Sequence, residues 1–412
     1  KLDETICKRN KILNEKGEFL SNRLQTQWYQ EGERGTKYFL NMQRSKGNKT
    51  KMVVLQDGDN RIDNPDKIDQ MVEEFYRKLY EKGDSKKEQS KHMIDHFLRN
   101  IDRLEDDTVN NLDLPLTPTE LYETLKSCSD SSPGPDGIPY SIIKLTWPLF
   151  GPALTNAWNF SMRTGKLTHS HEESYLKLLP KEGKDLNLLK NWRPITLSNC
   201  DFKIITKTLA TRLTLTLKDT IHPNQTAYIK NRQICDNLHV LQYAIEKAVE
   251  YGENMMVVSL DAEKAFDSIE HWYIRKILDK LGLSKFKSIF DLLYNNQKVS
   301  IQLNNHCAGR YRIKNGVKQG DALSCILFIL GIEPLIKNIS LDPNITQISL
   351  NNITVPKIIS YADDVACIIK PDCRDIQRIF DHYQLLTESS GLKLNADKTE
   401  IITTQNNGAP FS

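Results

Sequence analysis

The stretch Val355-Pro356-Lys357-Ile358-Ile359-Ser360-Tyr361-Ala362-Asp363-Asp364-Val365-Ala366-Cys367-Ile368-Ile369 decides how the rest of the chain reads. Apolar, β-branched runs flank its centre, which predicts two strands, 355–360 and 365–369, paired as one hairpin. A hairpin tip ordinarily carries glycine because the tight turn needs positive φ. This tip, Tyr361-Ala362-Asp363-Asp364, has no glycine and two adjacent carboxylates. Like charges at the end of buried strands repel and resist desolvation unless a cation or proton neutralises them. Read alone, an adjacent Asp pair is a solvated acidic turn.

A third carboxylate changes its weight. Asp261 ends Met255-Met256-Val257-Val258-Ser259-Leu260, an apolar run that reads as a buried strand. Residues 262–282 then turn helical, with Ile274, Ile277, Leu278 and Leu281 at helix spacing and Gly282 as the stop. With those strands adjacent in one sheet, Asp261, Asp363 and Asp364 converge at its edge. Hard carboxylate oxygens suit two Mg²⁺, with Mn²⁺ as a substitute and the carbonyl of Ala262 as an extra ligand. Ions about 3.5–4 Å apart activate an attacking hydroxyl and stabilise a leaving pyrophosphate in an in-line displacement.

Further blocks stand in a fixed order around these carboxylates. They are Ser132-Pro133-Gly134-Pro135-Asp136-Gly137-Ile138, Asn191-Trp192-Arg193-Pro194-Ile195, His222-Pro223-Asn224-Gln225, Asp261 with Phe266 five positions on, Gly316-Val317-Lys318-Gln319-Gly320-Asp321-Ala322-Leu323-Ser324, the 361–364 box, and Gly391-Leu392-Lys393-Leu394-Asn395-Ala396-Asp397-Lys398-Thr399. Together they cover most of residues 130–400, and the chain resembles the reverse transcriptases of non-LTR (LINE-type) retrotransposons. The resemblance implies an α/β (α+β) right-hand polymerase: a helical N-terminal extension (1–113), fingers with part of the palm (114–250), and a palm with an antiparallel sheet and helices on one side (251–412). It implies an RNA template, a DNA primer or target, deoxynucleoside triphosphates, and a ribonucleoprotein inside the cell, in cytoplasm and nucleus. The family's thumb, cysteine-rich tail and endonuclease domain fall outside this sequence. Family members commonly carry proline where Ala322 and Cys325 stand, a departure that touches the stiffness of that loop and not the carboxylates. A viral RNA-dependent RNA polymerase shares this logic but usually has glycine before the Asp pair and no large aromatic at the position of Phe266. A non-catalytic nucleic-acid-binding relic of a mobile element also fits the carboxylates.

The resemblance assigns roles residue by residue. Phe266 would stand under the sugar of the incoming nucleotide and exclude a 2′-hydroxyl; read locally it is a core aromatic. Gln319 and Gly320 offer an amide and a bare backbone to the base or template, and Tyr361 lines the nucleotide site. Lys181 and Arg193 sit in a strand, turn, strand segment suited to gripping a triphosphate, or face solvent and a nearby carboxylate. Gly134 and Asp136 lie in a proline-stiffened loop that rests against a template strand or is only a tight connection. Lys203, Lys207 and Arg212 line the polar side of a helix over 202–217, with Lys203 placed along the template backbone. Lys398 is a general acid for the departing pyrophosphate, or a surface lysine beside Asp397. Asp267 reads as a local cap or surface residue, and His222 as a structural histidine without ligand spacing.

Composition sets the outer bounds. The 412 residues exceed one typical domain. Net charge is only +3, yet residues 1–51 hold 12 Lys/Arg against 6 Asp/Glu, 177–232 hold 11 against 4, and 57–123 hold 10 against 18. Basic stretches split by an acidic spacer suit selective phosphate contact, or are solvated helix faces. Eight cysteines show no Cys-x-x-Cys pair and read as reduced thiols. No run of 18 apolar residues exists and no membrane partner is expected. The chain opens on Lys1 and reads as a piece of a longer polypeptide.

Local signals complete the reading. Helices are expected within 1–56 around Trp28-Tyr29 and Tyr38-Phe39, then a turn at 57–60. Asn64 and Pro65 open a helix to Tyr80, a charged surface helix runs from Ser85 to Asn111, and Thr117 and Pro118 start the next. Helices also span 233–251 and 376–390, the latter closed by Gly391, and 325–339 is apolar all round and so buried. A last hairpin pairs 392–395 with Ile401-Ile402.

Overall fold

The computed structural model describes residues 51–58, 60–81, 91–112, 114–304 and 306–404. The helices expected near Trp28 and Tyr38, and Asp59 of the expected turn, lie outside the described residues. Helices and strands are mixed throughout. The described chain divides into two compact units, one of residues 51–72, 177–194 and 302–308, the other of the rest.

In the first unit, β1 (Leu55–Asp57) and β2 (Asn60–Ile62) pair antiparallel around Gly58, whose φ of 57° the turn demands. Helix α1 (Pro65–Tyr80) opens as its sequence predicts, with Asn64 Oδ1 accepting the N–H groups of Asp66 and Lys67 at 3.0 and 3.2 Å.

In the second unit, the expected 85–111 helix, whose first residues 85–90 lie outside the described residues, is two over the described part, α2 (Lys91–Phe97) and α3 (Asp106–Leu112). Leu98 and Ile101, between them, are buried, and the N–H of Leu104 donates to Leu281 O at 3.1 Å, so the chain leaves the helical path to seal the core. Helix α4 (Pro118–Lys126) begins under Thr117, whose hydroxyl accepts the Glu120 N–H at 3.2 Å. Helices α5 (Tyr140–Thr164) and α6 (His169–Glu172) lead to β3 (Glu173–Pro180) and β4 (Trp192–Leu197). Helix α7 (Cys200–Leu217) is more buried than an amphipathic reading implies. Its cations are engaged by protein: Lys203 Nζ donates to Ser132 O at 2.8 Å, Lys207 Nζ to Ser127 O at 3.2 Å, and Arg212 pairs with both Glu120 oxygens at 2.5 and 2.6 Å.

Helix α8 (Ile234–Tyr251) precedes β5 (Met256–Leu260). The single helix expected over 262–282 is a short turn, α9 (Ala265–Ser268), and α10 (His271–Lys280). The break has a cause: the carbonyls of Phe266 and Ile269 accept from Val317 and Gly316 at 2.7 and 2.8 Å instead of closing a helical ladder. Next come α11 (Ser284–Tyr294), β6 (Lys298–Leu303), β7 (His306–Arg312) and α12 (Ala322–Leu341), the last buried along nearly its whole length. Long and apolar enough to cross a bilayer, α12 lies inside the fold with 83% of its most apolar window buried. The chain ends with β8 (Ser349–Leu350), β9 (Ile353–Thr354), β10 (Ile358–Tyr361), β11 (Asp364–Ile369), α13 (Cys373–Ser390) and β12 (Glu400–Thr403).

Two four-stranded sheets form, ordered β4-β3-β6-β7 and β10-β11-β5-β12, and every pairing of the second is antiparallel. Alternation along β5 explains why that sheet is covered on both faces. Met256, Val258 and Leu260 join the main core, while Val257, with Met255, Ile359 and Ile368, meets Ala244 and Ala248 of α8. Helices therefore do not stand on one side only, as expected. The last hairpin is also different: β12 pairs with β5, Ile401 opposite Val258, and Leu394 bridges Ala262. Both segments find the same partner strand, because the N–H groups of Glu263 and Asn395 bond Lys393 O and Asp261 O at 2.8 Å each. The described cysteines are all free thiols.

Gly134 packs where no side chain fits: an added Cβ would stand 2.3 Å from Asn199 N and 2.4 Å from Asn199 Oδ1. Gly134→Ala should therefore lower unfolding free energy by about 1–3 kcal/mol. Urea denaturation followed by circular dichroism checks this, and an unchanged midpoint would remove the packing role.

Candidate active site

Hydrophobic register places the carboxylates. Leu260 faces Val365 across β5 and β11, and Tyr361 faces Asp364 across β10 and β11. One residue beyond Leu260 is Asp261 and one before Val365 is Asp364, so both emerge at the same end of adjacent strands. Asp363 occupies the two-residue turn between β10 and β11. Its carboxyl is held above the usual range first by burial, then by the charges of Asp364 and Asp261, with Lys398 opposing. Asp261 and the Asp363-Asp364 pair, far apart in sequence, thus stand at the same end of adjacent strands.

The glycine-free turn is resolved by Ala362, which takes the left-handed φ of 56° itself. That state costs an L-residue roughly 1–2 kcal/mol. The 222–225 segment supports it: Gln225 Oε1 accepts the Ala362 N–H at 3.1 Å, Ser360 N donates to Asn224 O at 2.9 Å, and Thr226 N donates to Ser360 O at 3.0 Å. Arg232 ties the segment down by donating to the carbonyls of His222, Gln225, Lys218 and Ile221 at 2.6 to 3.1 Å. The sequence marks this segment as one block of the resemblance and as a polar pause, but a lone Gln in a loop gives no local signal for a partner 137 residues away. His222 is a structural histidine, bonded to Ser340 Oγ at 3.1 Å and held neutral with its pKa pushed down to about 4 by burial and then by Lys337 and Arg232.

Lys398 lies against Asp261 and not Asp397, with Nζ 3.1 Å from Asp261 Oδ2; Asn395 Nδ2 donates to the same oxygen at 2.9 Å. Phe266 stacks on Phe328, ring centres 4.6 Å apart and planes within 17°. Asp267 is no surface cap. It is buried, accepting from Tyr80 Oη at 2.5 Å and from Gln319 Nε2 at 2.7 Å. That bond turns the Gln319 amide inward. Gly320 has φ of 103°, and the carbonyl of the preceding Gln319 accepts from Thr196 N at 2.8 Å. Tyr361 is part exposed. Asp136 folds onto its own turn, accepting Ile138 N–H at 3.0 Å while its N–H donates to Asn199 Oδ1 at 3.2 Å, so its loop packs against the start of α7. In the other unit, Lys181 Nζ donates to Lys190 O at 2.8 Å and Arg193 is exposed.

Among the described residues no three His, Cys, Asp or Glu side chains close on one point as a preformed metal cage. The donor set still fits hard divalent ions. Mg²⁺ in nucleotide-processing sites is bound through one or two carboxylates and completed by water and substrate phosphates, not by an all-protein cage. Burial of Asp363 and then the charges of Asp364 and Asp261, opposed by its backbone N–H and by Lys398, are what such a cation offsets.

Residues 179–409 match the family model described as reverse transcriptase (RNA-dependent DNA polymerase), and since the match spans more than half of the sequence, the chain belongs to that family. Over 93% of its length it is 28% identical to the transposon TX1 uncharacterized 149 kDa protein of Xenopus laevis. Over 71% it is 27% identical to a retrovirus-related Pol polyprotein from a type-1 retrotransposable element R2 of Popillia japonica. The resemblance to non-LTR retrotransposon reverse transcriptases is borne out. The chain spans 29% and 40% of the length of these two relatives.

Under the hairpin, Glu333 on α12 accepts the His222 N–H at 2.8 Å, and burial pushes its pKa up from 4.5 to about 8. Between those values the folded protein keeps a proton that the unfolded chain has released, so stability falls as pH rises from 4.5 to 8. Thermal melts at pH 5 and 8.5 should show Glu333→Gln gaining on the wild type at the higher pH. A pH-independent difference would contradict the assignment.

Proposed function

We propose that this chain carries the polymerase centre of a LINE-type retrotransposon reverse transcriptase, adding deoxynucleotides to a primer 3′-hydroxyl on an RNA template. In the intact protein it would serve target-primed reverse transcription of a ribonucleoprotein, in cytoplasm and nucleus. The observation carrying this reading is the β5/β11 register that sets Asp261 beside the Asp363-Asp364 pair. Residues 251–412 would form the palm, 114–250 the fingers with part of the palm, and 1–113 the extension.

Asp261, Asp363 and Asp364 would hold two Mg²⁺, or Mn²⁺ in their place, with Ala262 O as an added donor. Bound there, the ions supply polarisation of the 3′-hydroxyl and of the triphosphate oxygens. Lys398 neutralises part of the charge on Asp261 and is available to protonate the departing pyrophosphate. Phe266, braced by Phe328, presents a rigid wall that admits a 2′-hydrogen and excludes a hydroxyl. Lys181 and Arg193 would grip the triphosphate, with Tyr361, Gln319 and Gly320 along the nucleotide. Lys203 and the loop of Gly134 and Asp136 would follow the template.

Primer extension on an RNA template with Mg²⁺ tests the assignment. Asp363→Asn should lose about 100-fold or more of the rate, chelation should abolish extension, and Phe266→Val should raise ribonucleotide incorporation while deoxynucleotides are still used. Equal activity of Asp363→Asn and wild type, or a wild-type preference for ribonucleotides, overturns it.

A further inference from the structure

We infer that Gln225 is a positioning residue for nucleotide addition: its buried side-chain amide clamps Ala362 in the left-handed backbone state that aims Asp363 and Asp364 toward Asp261. The inference rests on the polymerase reading above.

Gln225 is fully buried, and both ends of its amide are used. Oε1 accepts the N–H groups of Ala227 at 3.0 Å and Ala362 at 3.1 Å, while Nε2 donates to Ser360 Oγ at 2.8 Å and lies 3.5 Å from Ala362 O. The clamp is itself rigid. Its backbone bridges Ser360 in parallel register, and Asn237 Nδ2 ties Asn224 O and Ser360 O together at 2.9 Å each. A glycine tip would take positive φ without help but would leave the following carboxylates less constrained. Alanine held by an external amide accepts the strain and gains a fixed direction. The amide supplies this acceptor and this donor together: an ionised carboxylate cannot donate to Ser360, and a thioether replaces neither bond.

The test is steady-state primer extension by the purified chain, with hydrogen exchange as a readout independent of turnover. Gln225→Met should lower kcat by about 10- to 100-fold with KM for the deoxynucleotide changed by less than about 3-fold. The same substitution made in an Ala362→Gly background should cost about ten-fold less, because glycine no longer needs the clamp. Exchange of the Ala362 amide should quicken by about ten-fold or more in Gln225→Met while β5 amides keep their protection. Unchanged kcat, unchanged exchange at Ala362, or an equal loss in both backgrounds overturns the inference. If the wild type extends no primer, the polymerase reading fails, and exchange at Ala362 alone decides whether Gln225 holds the tip.

Discussion

Everything at the candidate site depends on how β5 and β11 are slid against each other. Because side chains alternate with a period of two, a slip of one residue would turn Val257 and Val258 to the wrong layers and separate Asp261 from Asp364. Both faces of β5 are buried, in two different apolar clusters, so the slip would be penalised twice. The acids do not attract one another. They are forced together by the burial of their neighbours, and the resulting repulsion is stored at the strand ends where a cation can use it.

The elements legible in the sequence are those whose cause is local. Thr117 and Asn64 cap the helices they precede, α12 is recognisable from an unbroken apolar run, and the 358–369 hairpin from two β-branched segments around a polar tip. Asp261 was readable because it ends such a run, and Asp363 and Asp364 because they lie at the tip between two of them. What stayed hidden has partners far away in the chain. Helix 262–282 breaks because Gly316 and Val317 compete for its carbonyls. Asp267 looks like a cap until Tyr80 and Gln319 are seen to surround it. Charge counts over 177–232 register Lys203 and Arg212 but not the carbonyls and carboxylate they already serve.

The polar groups under the hairpin obey a different rule from those at its tip. Below, Arg232 gathers four carbonyls and Asn237 two, so the carbonyls of the strap are largely satisfied. At the tip, Asp364 is exposed and Asp363 half-buried, leaving carboxylates that solvent and ligands can reach. A satisfied base beneath an unsatisfied summit is what lets reactive groups be held still without being consumed by their own scaffold.

Helix α12 has one more consequence. It is wrapped on one side by α7 and α10, which precede it, and on another by α13, which follows it. A ribosome that has released residue 341 but not residue 390 therefore presents a bilayer-grade segment with one flank bare. During synthesis that interval is where the nascent chain is stickiest, and any polypeptide ending inside it would keep the exposed flank for good.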